Sequence, residues 1–536
     1  MSRQTVECRS DRRRNGESVS RRHFLRSGVA SAAALAALSR TEWALAGPGG
    51  GRPRGGGMTF DPDLVLLIDR ITGGFSLAEY EHAESHGYEG YLAEQLGYES
   101  LIGANDPNLA ARLANFNIYN MTAQQIAATY NPTQMTQVPL RQTIAIQLIW
   151  AVYGKAQLYY RMFQFWNHHL NVDINSSNAQ RFLLWPFLRD VVLANSMTNF
   201  PALIAASAHG PAMLVYLNNN TNVASAPDEN YARELMELHT LGVDNGYTQT
   251  DVEELARVLT GWSACLNFNG CGATPYGEFR FIPGNHDTGN KIVLDNFIQG
   301  LSGAAGIQEG EQVLGILTAH PNTADHIARK LCRFFLGGID YSYDPPEDIV
   351  QFVKYTYLNS NPIGDIRAML EIILHRDVLT QHAQPKFRRP FDLTTASLRA
   401  VGANLAINGN NPLPDLRFDL DNMGMVPSSW GPPNGPYDSQ AWSEGGMLAR
   451  WSYLDELAGN NIAEAADFTV AGLLAPIGAT APGAQAQGLS NLLSGGRLSD
   501  KEKQALQGFI GYGTPSEATL KEALALAMQM PTYQFA

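Results

Sequence analysis

From Phe60 onward the apolar residues recur at helical spacing, and that period leaves little room for any fold other than an assembly of helices. Ala145, Leu148, Ile149 and Val152 fall on one helix face, and Leu158, Met162, Phe165 and Trp166 continue the pattern in the next segment. Few segments alternate with a period of two. The expected class is mainly α: a multi-helix globular domain with long irregular loops and a possible small β-hairpin. The sharpest single prediction is a helix over 251–260. Thr248 and Asp251 suit an N-terminal capping box, Val252, Leu255, Ala256 and Leu259 form one apolar stripe, and Gly261 can end it. Helical spacing resumes over 313–317, 324–335 and 366–374.

Two stretches interrupt the period. Residues 266–299 turn to aromatics, Gly, Asn and Pro, which reads as a long loop or a small strand pair, and 423–440 gathers Pro and Gly around Trp430. Residues 461–496 are rich in Ala and Gly with almost no charge. The chain therefore divides into a main helical domain over 60–460 and, over 461–536, an Ala/Gly-rich insertion with C-terminal helices packing on it. No internal repeat is present.

The first 46 residues carry an address. Ser20-Arg21-Arg22-His23-Phe24-Leu25-Arg26 precedes a weakly apolar run over 27–39 and then Ala44-Leu45-Ala46, a small-x-small cleavage triplet. That order is expected of a twin-arginine signal peptide, which is exported by the twin-arginine translocation machinery with its cargo already folded. Residues 47–59 follow as a flexible Gly-rich spacer. The expected location is periplasmic or extracellular. No later run reaches the roughly 20 apolar residues of a membrane helix, since 191–217 is broken by Asn195, Asn199, Pro201, His209 and Pro211.

Charge and cysteine use narrow the partners. The chain has 38 Lys and Arg against 51 Asp and Glu, and removal of 1–46 leaves 29 against 47, so a nucleic-acid backbone is excluded as a partner on electrostatic grounds. Cys265 and Cys271 lie in one irregular stretch and can pair in an oxidising compartment, whereas Cys332 sits in an apolar helical context that suits a buried, inert thiol.

Four clusters could carry chemistry. In Phe165-Trp166-Asn167-His168-His169-Leu170-Asn171-Val172-Asp173, a continuous helix puts His169 on the apolar face and His168 about 100° away. His169 with Asp173, one turn on, would serve a metal better than both histidines; the alternative is a hydrogen-bonded buried His169. The helix around 229–241 lines up Asn230, Arg233, Glu234 and Glu237 on one stripe, with His239 nearly opposite Glu237. Those carboxylates suit metal binding, acid–base work or a structural ion-pair network around Arg233. In Gly284-Asn285-His286-Asp287-Thr288-Gly289-Asn290-Lys291 a loop presents a titratable base, an acid and a cation, and the same letters also make a turn. For His320 and His326 a capping or surface role is expected. Gly-x-Ser-x-Gly, His-Glu-x-x-His, phosphate-loop and dinucleotide signatures are absent, so those reaction classes lose weight.

Several phrases together resemble one family. Phe165-Trp166-Asn167-His168-His169, Ala208-His209-Gly210-Pro211-Ala212-Met213-Leu214, Glu229-Asn230-Tyr231-Ala232-Arg233-Glu234-Leu235, Glu237-Leu238-His239-Thr240-Leu241-Gly242-Val243, Tyr247-Thr248-Gln249 and Leu259-Thr260-Gly261-Trp262 are similar to the exported bacterial family called domain of unknown function 1800. His286-Asp287, His320-Pro321 with Thr323-Ala324, and Lys330-Leu331 fit in the same order. The family's usual Trp-His-Asn-His stands here as Trp166-Asn167-His168-His169. The resemblance implies a mostly helical exported protein, often accompanied by a sulfatase-like exported partner, and no established reaction.

The leading expectation is a metal-dependent hydrolase of an envelope or extracellular substrate. His169, Asp173 and Glu234 would hold a divalent metal ion, and Glu234, Glu237, His286 and Asp287 would do the acid–base chemistry. Against it stands a non-catalytic partner or assembly factor for another exported protein. A third reading makes Trp430, Tyr437 and Trp442 a carbohydrate-binding surface.

Overall fold

Two helices, Gln137–Tyr153 and Gln157–His169, are buried on nearly every side in a computed structural model of the chain, and they form the centre around which the other elements assemble. The structure describes residues 58–337, 343–436, 442, 446–465, 467–481 and 483–536. The expected signal peptide, most of the Gly-rich spacer and Tyr437 lie outside these. The class is mainly α. The described strands make two small antiparallel pairs: β1 (Trp262–Ala264) with β2 (Phe279–Phe281), and β3 (Lys291–Val293) with β4 (Asn296–Ile298). No helix among the described residues is long and apolar enough to cross a membrane.

Several buried polar side chains in and beside the central helices bond to backbone. Gln142 Oε1 accepts from the Ile118 amide at 3.1 Å, Gln95 Oε1 accepts from the Leu158 amide at 3.2 Å, and Trp166 Nε1 donates to the Ser196 carbonyl at 3.0 Å. The capping box expected at Thr248 and Asp251 starts a helix over Gln249–Val258. The irregular stretch after it holds β2, β3 and β4, and a Cys265–Cys271 disulfide closes a loop within the connection from β1 to β2. Cys332 is a buried free thiol whose pKa burial pushes up to about 12, the inert state its context suggests.

Buried ion pairs join distant parts of the chain. Asp392 sits between Arg161 and Arg389, Asp69 between Arg388 and Arg497, and Arg399 reaches Glu79 at 2.7 Å. Their value is specification more than net stability, because desolvation cancels much of the attraction. Arg497 thereby ties a late segment to Asp69 of the helix Pro62–Ile71, while Gln485–Ser494 packs beside Pro390–Ala400 and Glu517–Gln529 along Met447–Gly459.

Candidate functional site

Three of the phrases that carry the family resemblance meet at His169. This residue is the last of its helix, with Leu170 already leaving helical geometry, and its side chain is 2% exposed against Phe165, Trp166 and Phe200. Both ring nitrogens are engaged: Nε2 donates to the His239 carbonyl at 3.0 Å, and Nδ1 accepts from Lys330 Nζ at 2.8 Å. The rings of His239 and His326 lie 6.0 and 6.2 Å from that of His169. Burial and then the Lys330 ammonium hold all three imidazoles down, His169 well below its ordinary range and His239 and His326 at about 3. They are neutral at physiological pH. His239 Nε2 and His326 Nε2 are buried without hydrogen-bond partners.

His326 was expected to cap or to sit on the surface, and it joins this buried group instead. The reason is the register of its helix, Pro321–Leu336, in which Lys330 follows His326 by one turn and both face the end of the His169 helix. His320 does cap that helix, accepting from the Asn322 amide at 3.1 Å. His168 points elsewhere, its Nδ1 paired with Arg389 at 2.9 Å.

The acidic stripe lies on the other side of the same segment. The helix Glu229–Glu234 widens into a π-helical turn over Leu235–Thr240, where Thr240 Oγ1 donates to the Leu235 carbonyl five residues back. Arg233 binds Glu229 at 2.8 Å and Glu237 at 3.3 Å, so its ion pairs go to these two acids and not to Glu234. Glu234 is half-buried and, among the described residues, makes no hydrogen bond of its own. Burial and then Glu237 raise its pKa, with Arg233 pulling the other way. Nearby stands Tyr216, whose phenol is pushed up to about 12 by burial, then by Asp173 and Glu234.

Asp173 therefore shares a field with Glu234, but it does not stand one turn beyond His169. The helix stops at His169, and Asp173 instead receives the Asn175 amide at 2.9 Å in the following turn. The Pro- and Gly-rich loop covers this corner. Asn171 Nδ2 donates to the carbonyls of Trp430 and Pro432, each at 2.8 Å, the Ile174 amide donates to the Ser428 carbonyl at 2.9 Å, and the Tyr216 hydroxyl donates to Gly431. Trp430 and Trp442, both half-buried, have ring centroids 5.9 Å apart.

His286 and Asp287 belong to a separate network. His286 Nδ1 lies 2.9 Å from the Thr260 carbonyl and its Nε2 3.1 Å from Glu309, whose other oxygen takes Lys291 Nζ at 2.6 Å. Asp287 is bound by Arg257 at 2.8 Å; burial would raise its pKa, and Arg257 overrides this and lowers it. The hydrogen bonds, ion pairs and ring contacts described for His286 and Asp287 include neither His169 nor the Glu234 stripe. Asp173 and Glu234 thus both act electrostatically on the Tyr216 phenol, Glu237 lies in an arginine clamp, His169 sits among unforeseen partners, His286 pairs with the buried Glu309, and Asp287 pairs with Arg257.

Lys330, His326 and His239 were not singled out together from sequence. The available signal was the presence of His239 and Lys330 in the resembling phrases, since helix periodicity alone says nothing about which helices meet. Comparisons with curated proteins and with solved structures each find no match. The family comparison does find one, over residues 66–535 and thus over nearly the whole chain, under the description "Protein of unknown function (DUF1800)": the chain belongs to that family.

Proposed function

We propose that the protein is an exported hydrolase of envelope or extracellular glycans, with Glu234 as its general acid–base. The observation that carries this reading is the state of Glu234: a half-buried carboxyl, free of the arginine that occupies its neighbours, with its pKa raised by burial and by Glu237. Such a carboxyl holds a proton to higher pH and can give it to a leaving oxygen, then accept one from water. Asp173 is a second carboxylate that raises the pKa of the same phenol, and the half-buried Trp430 and Trp442 rings lie 5.9 Å apart in the loop that covers this corner. The reading needs no metal at His169, where a cation would have to displace the Lys330 ammonium. Export by the twin-arginine route is supported by the Arg21-Arg22 motif and by the Cys265–Cys271 disulfide, which persists in oxidising compartments.

The test is release of reducing ends from dye-linked cell-wall polysaccharides and aryl glycosides by the purified exported protein. Glu234→Gln should lose about a hundredfold or more in kcat while keeping its fold. Equal turnover by the wild type and Glu234→Gln would sink the assignment. One observation favours a second reading, a docking partner for a sulfatase-like exported protein: Phe418, Leu448 and Trp451 are 65%, 75% and 43% exposed on adjoining helices. Co-purification abolished by Leu448→Asp would support it.

A further inference from the structure

The helix Leu77–Leu96 contains one residue outside helical geometry, Gly87, at φ 70° and ψ 171°. A glycine tolerates this positive φ without steric cost, and the helix axis turns there. The consequence is a contact that a straight helix forbids. His82 and Glu94 are 12 residues apart, which on an unbroken helix is about 18 Å along the axis, yet His82 Nε2 lies 2.6 Å from Glu94 Oε2. His86, one turn after His82 on the same face, sets its ring 4.6 Å from that of His82 at a tilt of 49°.

The three side chains each offer a ligand atom, and these atoms lie within 4.8 Å of one another; no other group of three or more His, Cys, Asp or Glu among the described residues does so. Their orientation is partly fixed. His86 Nδ1 lies 2.9 Å from the His82 carbonyl and 3.0 Å from Ser85 Oγ, which holds the ring and leaves Nε2 as its outward nitrogen. Hydrogen bonding through one ring nitrogen is how proteins orient a histidine whose other nitrogen binds a metal. His82 also meets Tyr91 edge-on at 6.1 Å, and the Tyr91 hydroxyl donates to Glu79, itself paired with the buried Arg399. His82 and Glu94 further line a cleft of about 540 Å³ that includes Glu79, Tyr153, Lys155 and Arg399.

We infer that His82, His86 and Glu94 form a Zn²⁺ site at the rim of this cleft. Two imidazoles and one carboxylate match the ligand types that zinc takes at about 2.0–2.2 Å. Three protein ligands leave a fourth position for water. Binding an ion there opens the His82–Glu94 ion pair in exchange.

The experiment is calorimetric titration of ZnCl₂ into the mature protein, purified without a polyhistidine tag and stripped with chelator. Co²⁺ is used in parallel so that its visible absorption reports nitrogen and oxygen ligation. One Zn²⁺ per chain is expected. His86→Ala and Glu94→Gln should each weaken binding by about a hundredfold or more, whereas Glu234→Gln should bind like the wild type. The altered residues are exposed or half-exposed, so circular dichroism should show both variants folded. Absence of binding at micromolar Zn²⁺, or unchanged affinity in His86→Ala and Glu94→Gln, overturns the site.

Discussion

Glu309→Gln tests whether His286 and Asp287 stand in a structural network. Glu309 divides its work between its two oxygens: Oε1 accepts from His286 Nε2 and from the Leu301 amide at 2.6 Å, and Oε2 takes the Lys291 ammonium. The substitution keeps a carbonyl oxygen for the first pair and replaces only the oxygen that faces Lys291. The side chains of Lys291 and Glu309 are both 0% exposed. Breaking such a pair leaves the buried ammonium with only the Asp287 carboxylate, 3.8 Å away, and the Asp287 carbonyl, and such a loss costs about 3–5 kcal/mol. At about 2.1 cal/mol/K per residue, a folded unit of about 480 residues has an unfolding entropy near 1 kcal/mol/K, so Tm should fall by about 3–5 °C. Adding Lys291→Met removes the orphaned charge and should recover most of the loss. The assay is differential scanning calorimetry of both single variants and the double. A Glu309→Gln protein within about 1 kcal/mol of the wild type, or losses that simply add in the double variant, would refute the argument and return His286 to the catalytic candidates.

Asp419 gives a pH-dependent counterpart. Burial and then Glu456, Asp415 and Glu464 push it up from 3.8 to about 7, and its Oδ2 has no partner. A raised acid favours the folded state while it stays protonated; this contribution is whole below the unfolded value and is lost as pH rises through about 7. A shift of that size represents about 4 kcal/mol, roughly halved because the neighbouring acids are partly solvated. Asp419→Asn should therefore be more stable by about 2 kcal/mol at pH 8 than the same change makes it at pH 4, and thermal melts that shift equally at both pH values would contradict this. Lys330→Met should raise the pKa values of His239 and His326 from about 3, as followed by histidine ring NMR; unmoved resonances would show that burial alone sets them. Gly435→Ala should displace the Trp430 loop, because at φ 73° a Cβ there would overlap the His168 carbonyl, and altered Trp fluorescence with weakened polysaccharide retention is the expected result.

The fold was legible where one local rule sufficed. Thr248 and Asp251 announce their helix because a capping box uses side chains three residues apart, and the central helices announce themselves by apolar period. The site was legible in part. Glu234 could be chosen as a carboxyl, but that Arg233 would turn to Glu229 and Glu237 depends on rotamers, and the nearness of Asp173 depends on where a helix stops. His326 was misjudged because its helix has a polar face toward solvent and the sequence does not say which boundary residue meets a neighbour. His82, His86 and Glu94 went unseen for a related reason: their meeting rests on one glycine, and spacing rules assume an unbroken axis.

The widened turn over Leu235–Thr240 separates two chemical worlds carried by adjacent residues. On one side lie water and acids, on the other neutral imidazoles and aromatic rings. Its extra residue acts as a phase shifter. Were the same residues wound as an ordinary α-helix, everything downstream would swing by about 100°. His239 would leave His169, and the Thr240 hydroxyl would lose the carbonyl it now serves. Regular winding at this one turn would thus uncouple the two halves of the molecule's polar centre.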